Sequence, residues 1–316
     1  MKKMNLLAVV GAAACLTLLS GCKKDATPSG PPVDMKLKWT VGKRYDQAIT
    51  MTQNTKSTAP GVNETIENNM NMVEELSVTA AKARPTGGTE LEMNFTGIKM
   101  DQKMAGQSLK FDSHSDPNGD GSNPVAPMLR KMVGAHVKYL TDAGGKVEQV
   151  VGYQEFIDQI ASGNAQVGAM VKGMFSEDTL KQMGVSGQGL PTKPVQVGES
   201  WPYHQEIAVG PIGTMVVDMN ITFKGWEDHD GHHCAILEST GQMKNRPDNS
   251  AGGMKLEIEK GTTKGTMWFD PDLGMMVDNV IDQVMTMKMQ IQGQNVSSKL
   301  NQRIKVALVK VADAGK

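Results

Sequence analysis

Three stretches of this chain bring together side chains able to do chemistry. In the loop spanning residues 112–122, Asp116, Asn118, Asp120 and Ser122 offer hard oxygens at alternate positions, and Gly121 permits a sharp turn. From Asp116 the pattern D-x-N-x-D-G matches the first half of a calcium loop, in which alternate oxygens converge on one Ca2+. The twelfth position of such a loop is a bidentate Glu; here it is Pro127. The same residues also make an ordinary polar turn, since Asp, Asn and Gly tolerate left-handed backbone. The second stretch holds His229, His232, His233 and Cys234, which are ligand types for Zn2+ or Cu2+. Asp230-Gly231 at its centre is a hairpin signal. On a strand His232 and His233 point to opposite faces, and Cys234 reads as a small buried apolar residue. The third stretch is Leu19-Ser20-Gly21-Cys22, which ends an apolar run that follows Lys2 and Lys3.

That N-terminal layout is a secretory signal, too short for a comfortable membrane-spanning helix. The Leu-Ser-Gly-Cys ending resembles the lipobox of bacterial lipoproteins. The resemblance implies cleavage before Cys22 and acylation of its sulfur, a reaction for which a thiolate is the natural nucleophile. Two or three acyl chains hold a protein stably on a bilayer. Lys23 follows; by resemblance to proteobacterial sorting, a residue other than Asp there favours the outer membrane, with the chain facing the periplasm of the cell envelope. Residues 1–21 are thus expected to be removed. Residues 22–33, rich in Pro, Gly and small polar side chains, should form a flexible tether. A single domain is expected over residues 34–312.

Other chemistry is missing. Gly184-Val185-Ser186-Gly187-Gln188 starts like a nucleophile elbow but ends in Gln. There is no H-E-x-x-H and no phosphate-binding glycine loop. The expectation is therefore not an enzyme and no cofactor beyond the calcium candidate. A hydrolase using two carboxylates brought together by the fold stays open, because such a pair is invisible in one sequence. The formal net charge of -1 leaves no basic footprint for nucleic acid. Of three cysteines, Cys15 leaves with the signal and Cys22 would carry lipid, so Cys234 has no partner for a disulfide.

The elements that must position these residues are mostly strands. Met215, Val217, Met219, Ile221 and Phe223 alternate with polar residues, as do Met285, Met287, Met289 and Ile291. Period two means a strand with one buried face. Turn signals such as Asp142-Ala143-Gly144-Gly145 and Asp270-Pro271-Asp272-Leu273-Gly274 separate the strands. One interval, residues 153–183, has helical periodicity, with Phe156, Ile157 and Ile160 on one face and Ser176 placed to cap Glu177-Asp178. The fold class is mainly β, with curved antiparallel sheets, as half-barrel or sandwich, and a small helical insertion.

Three segments carry a family resemblance: Phe111-Asp112-Ser113 before a Pro-rich loop; residues 144–152 (GGKVEQVVG); and Leu190-Pro191 through Val197-Gly198-Glu199-Ser200-Trp201. In this order they resemble a family of bacterial envelope lipoproteins known only as a domain of unknown function, which implies an address but no activity. A looser analogy, of architecture alone, is to lipoprotein-carrier proteins, whose curved sheet wraps an apolar cavity.

The 24 Met residues sharpen the functional question. Met is pliable and polarizable, so Met215, Val217, Met219, Met285, Met287 and Met289 could line a pocket for an apolar or lipid ligand, or fill a packed core. Thioethers could also bind Cu(I), although Met spread over many strands is unlike a capture tail. Two readings follow: a lipid-anchored protein holding an apolar ligand inside a curved sheet, or a structural module with a packed core that meets an envelope protein partner.

Overall fold

The computed structural model describes residues 28–58, 65–121, 123–163, 165–183, 187–208, 214–246, 255–291 and 294–315. Cys22, the signal segment and Ser122 lie outside them. The strands are β1 (Ser29–Val33), β2 (Lys43–Thr58), β3 (Ile66–Ala83), β4 (Thr89–Met104) and β5 (Gln107–Asp112). After helix α1 (Ala126–Met132) come β6 (His136–Thr141) and β7 (Val147–Val151). The helical insertion is α2 (Tyr153–Ala161), α3 (Ala165–Met174) and α4 (Glu177–Met183). Then follow β8 (Val195–Val197), β9 (Ser200–Ala208), β10 (Thr214–His229), β11 (His232–Asn245), β12 (Lys255–Asp270), β13 (Met275–Ile291) and β14 (Gln294–Asp313).

Twelve strands form one antiparallel sheet in the order β7-β6-β4-β3-β2-β14-β13-β12-β11-β10-β9, with β5 paired to β4. Most neighbours in sequence are neighbours in the sheet, β5 and β6 both pairing with β4, and β14 closes the series by pairing with β2, for example Ile304 opposite Met51. The edges are therefore β7 and β9, and the helical insertion is the connection between them. Helix α4 packs against both edge strands, so the insertion spans the open side of the sheet. This is the mainly β, antiparallel fold with a small helical insertion that the alternation and the 153–183 periodicity imply.

Local chemistry fixes the ends of these elements. Ser176 caps α4 by accepting the Thr179 backbone N–H at 3.1 Å, and Glu177 and Asp178 occupy its positive first turn. The β10–β11 hairpin turns at Asp230 and Gly231, both with positive φ, +50° and +83°. Positive φ at both central residues matches the twist of the flanking strands. One segment differs from expectation. Composition places Ser29–Val33 in the tether, yet it pairs antiparallel with β8. A strand containing Pro31 and Pro32 can do this only as an edge, because proline has no N–H to donate.

The sheet curls strongly. Residues of β3 and β9 border one common cavity, although seven strand spacings separate them, about 34 Å in a flat sheet. Curling crowds the inner face, and two inner positions with no Cβ relieve it. A Cβ on Gly241 would overlap the Asp218 carbonyl of β10, and one on Gly261 would lie 2.6 Å from the Met243 carbonyl of β11.

Three apolar clusters fill the inner face. Helices α1–α3 dock on β3, β4 and β6 through Leu91, Phe95, Phe156, Ile157, Ile160 and Phe175, all buried. Met35 of the N-terminal segment packs on Ile221, Phe223, Leu237 and Phe269. Toward the far strand ends, Val217, Met243, Met285 and Leu300 form a third cluster.

Candidate functional site

Between the clusters lies a cavity of about 490 Å³ walled by residues of β2, β3 and β9–β14, with Phe175, Gln188 and Gly189 contributed from the connection between the sheet edges. Its walls follow from strand register. One row across the sheet runs Met72, Met51, Ile304, Ile281. The adjacent row runs Glu74, Ile49, Val306, Asn279, Met267. The next row outward is polar: Gln53, Gln302, Gln283 and Thr263. The cavity is thus an apolar trough with a few polar groups set into it, the usual make-up of a small-molecule site.

Glu74 is the conspicuous group. It is 8% exposed and has no hydrogen bond or ion pair among the described residues. Among the described residues it is the only carboxylate in the cavity wall, and none of them there is Lys, Arg or His. Burial pushes its pKa from 4.5 up to about 7, because removing water penalises the charged form and nothing nearby compensates. In the same row, Oδ1 of Asn279 is buried without a hydrogen-bond partner.

A larger open groove of about 1550 Å³ lies between the N-terminal segment, the helical insertion and β9. It shares Gln188, Gly189, Tyr203 and Gln205 with the inner cavity. Those side chains are linked: Tyr203 Oη donates to Gln188 Oε1 at 3.1 Å, and Gln205 Nε2 donates to the same oxygen at 2.8 Å. Burial holds the Tyr203 hydroxyl above its ordinary pKa. The partition between groove and cavity is therefore a short polar network, with no backbone sheet between them.

The residues singled out from sequence are distributed as follows. Met219 borders the cavity. Val217 and Met285 belong to the third cluster, with Met215, Met219 and Met287 packed against it, and Met289 lies further along β13, opposite Val296. In the 112–122 loop, Asp116 accepts the Asn118 backbone N–H at 2.9 Å. Asp120 is gripped by the Arg130 guanidinium through Nε at 2.6 Å and Nη2 at 2.8 Å. Arg130 also donates to the Ser113 and Ser115 carbonyls, so this loop is stapled to α1 by a bidentate pair.

The three histidines separate onto different carboxylates. His232 Nδ1 lies 2.8 Å from Asp270, and His233 Nδ1 lies 2.8 Å from Asp228. His229 stacks on Trp268, with ring centroids 4.4 Å apart, and its Nε2 lies 3.2 Å from Asp278 Oδ2 and 3.5 Å from Asp230 Oδ2. His229, Asp230 and Asp278 could hold a metal ion, their donor atoms falling within 4.8 Å of one another. Lys305 Nζ sits 2.8 Å from the same Asp278 oxygen, so an ion would have to displace it. Cys234 takes no part: burial, then the surrounding acids, raise its thiol to about 11, so it stays protonated.

Sequence reasoning passed over Glu74, although a signal was there. Met70, Met72, Leu76, Val78 and Ala80 share one phase of β3, and between Met70 and Ala80 Glu74 is the single ionisable residue in that phase.

A family model described as a family of unknown function, DUF6263, matches residues 86–276, more than half of the chain. No curated protein matches the sequence. Among solved structures, a candidate lipoprotein from Parabacteroides distasonis ATCC 8503 aligns over 88% of this chain and 100% of its own at 11% identity, with a TM-score of 0.29. A candidate exported protein with a YmcC-like fold from Bacteroides fragilis NCTC 9343 aligns over 88% and 99% at 8% identity, with a TM-score of 0.24.

Proposed function

This chain belongs to DUF6263, a family of unknown function, and we propose that it is an envelope lipoprotein that holds an apolar ligand inside its curled sheet. The observation that carries the reading is the 490 Å³ cavity of mainly Ile, Val, Leu and Met side chains, bordered by strands from both halves of the sheet. A core built only for packing reaches near-crystalline density with few voids larger than a water molecule. This volume falls within the range of small-molecule sites. The open groove, sharing a wall of side chains with the cavity, supplies a route in. Met51, Met72, Met219, Met267 and Met276 in the wall let it re-pack around chains of differing shape. A single carboxylate among the described residues of the wall also favours binding over two-carboxylate hydrolysis, which needs a pair.

The test is native mass spectrometry of the chain purified from its own envelope, beside Ile281→Trp, which places an indole in the cavity. The expected result is a co-purifying amphiphile on the wild type and none on Ile281→Trp. A bare mass for the wild type, with no uptake of added alkyl-chain ligand, would overturn the reading.

The address rests on residues 19–22. Acyl chains on Cys22 would hold the domain at the membrane, on our reading the outer membrane with the domain in the periplasm. Radiolabelled palmitate is expected to enter the wild-type chain and not Cys22→Ala. Equal labelling of both would remove the anchor.

A further inference from the structure

We infer that the cavity selects amphiphiles carrying one ammonium group and no anionic group, with Glu74 as its counter-ion. The inference rests on the ligand-holding reading above and adds the chemistry of the ligand's polar end. Three observations carry it. Glu74 is more than nine-tenths buried, borders the cavity, and lacks any partner among the described residues. Asn279 Oδ1, three strands away in the same row, is also buried without a donor. Among the described residues the wall contains no Lys, Arg or His. Two buried acceptors of the wall are therefore without donors, and its described residues carry no positive charge.

Each point narrows the ligand. An unpaired buried acceptor costs about 1–3 kcal/mol, more for a charged one, and a ligand bringing N–H donors recovers that cost. An alkyl ammonium brings three donors and the opposite charge. Forming a buried ion pair from water normally costs the desolvation of both ions, but folding has already stripped water from Glu74. Only the ammonium remains to be desolvated, and the paired carboxylate is pulled back to its ionised form. A carboxylate or phosphate ligand would find no cation and would be repelled by Glu74. A zwitterionic phospholipid headgroup would carry its phosphate into the same cation-free wall, so the site suits a free long-chain amine and excludes an aminophospholipid.

Displacement of a bound apolar fluorophore, N-phenyl-1-naphthylamine, provides the readout at about pH 8, where the free carboxyl is mostly ionised. The competitors are dodecylamine, dodecanol, dodecanoate and a single-chain phosphatidylethanolamine, each below its aggregation concentration. The wild type is expected to bind dodecylamine about tenfold or more tighter than dodecanol, as a charge-assisted pair should. Dodecanoate and the phospholipid should bind more weakly than the alcohol. Glu74→Gln keeps the volume and removes the charge. It should bring dodecylamine down to the level of dodecanol, and an unchanged circular dichroism spectrum shows the variant to be folded. An amine no better than the alcohol, or an amine preference that survives Glu74→Gln, would overturn the inference and leave the ligand-holding reading in place. If no competitor displaces the fluorophore, both fall together.

Discussion

Replacing Glu74 by glutamine should make the chain more stable above pH 7 and alter the pH dependence of its stability. The Glu74 carboxyl is raised from 4.5 to about 7 in the folded chain. Between those values the folded state holds a proton that the unfolded state has released. Stability contributed by this group is therefore fully present below about pH 4.5 and is lost as pH rises through about 7. A shift of this size corresponds to about 3 kcal/mol at 1.36 kcal/mol per unit. Among the described residues, Tyr203 is the only other titrating group in the cavity wall, and its raised value keeps it out of this window. In urea titrations of wild type and Glu74→Gln across pH 4.5 to 8, the difference between the two should change by about 3 kcal/mol, in favour of the variant at high pH. Parallel curves would show that Glu74 is solvated or paired.

Phe156→Ala should cost about 3–5 kcal/mol, the usual range for emptying a large aromatic from a core. Phe156 is 1% exposed. Its ring lies between Phe95 of β4 at 6.0 Å and Phe175 at 5.6 Å, edge-on to the latter. This trio fastens the helical insertion to the sheet. Phe175 also borders the cavity, so the variant should weaken fluorophore binding along with stability. Glu155→Ala, one residue away on the exposed side of α2, should stay within about 0.5 kcal/mol, as surface changes do. A loss below about 1 kcal/mol for Phe156→Ala in urea denaturation would mean that the insertion is not anchored by this contact.

Local pattern carried the secondary structure far. Alternation along residues 215–223 and 285–291 marks inner faces of β10 and β13, and the 153–183 periodicity marks helices, because side-chain period is a property of the backbone itself. Hairpin chemistry was equally local: Asp230-Gly231 turns β10 into β11, and Ser176 caps α4. The site was less legible. Glu74 interrupts an apolar phase of β3, but a polar residue in such a phase can equally face a partner or a solvent-filled gap. Its isolation depends on Ile49, Ile98 and the distant β9–β14 strands.

The amino-acid sequence by itself determined which residues face inward, where the chain turns, and that the fold is β with a helical insertion. Each of these is decided within a few residues by backbone geometry and polarity. Only the tertiary structure decided that β14 pairs with β2, that the insertion spans the gap between β7 and β9, and which methionines border a cavity and which fill a core. Met219 and Val217 occupy the same face of the same strand, two residues apart, and both meet the third cluster, yet Met219 alone of the two also borders the cavity. Their difference lies in how sharply the sheet curls and what packs over it. That depends on contacts between segments far apart in the chain, where no local pattern reports the partner.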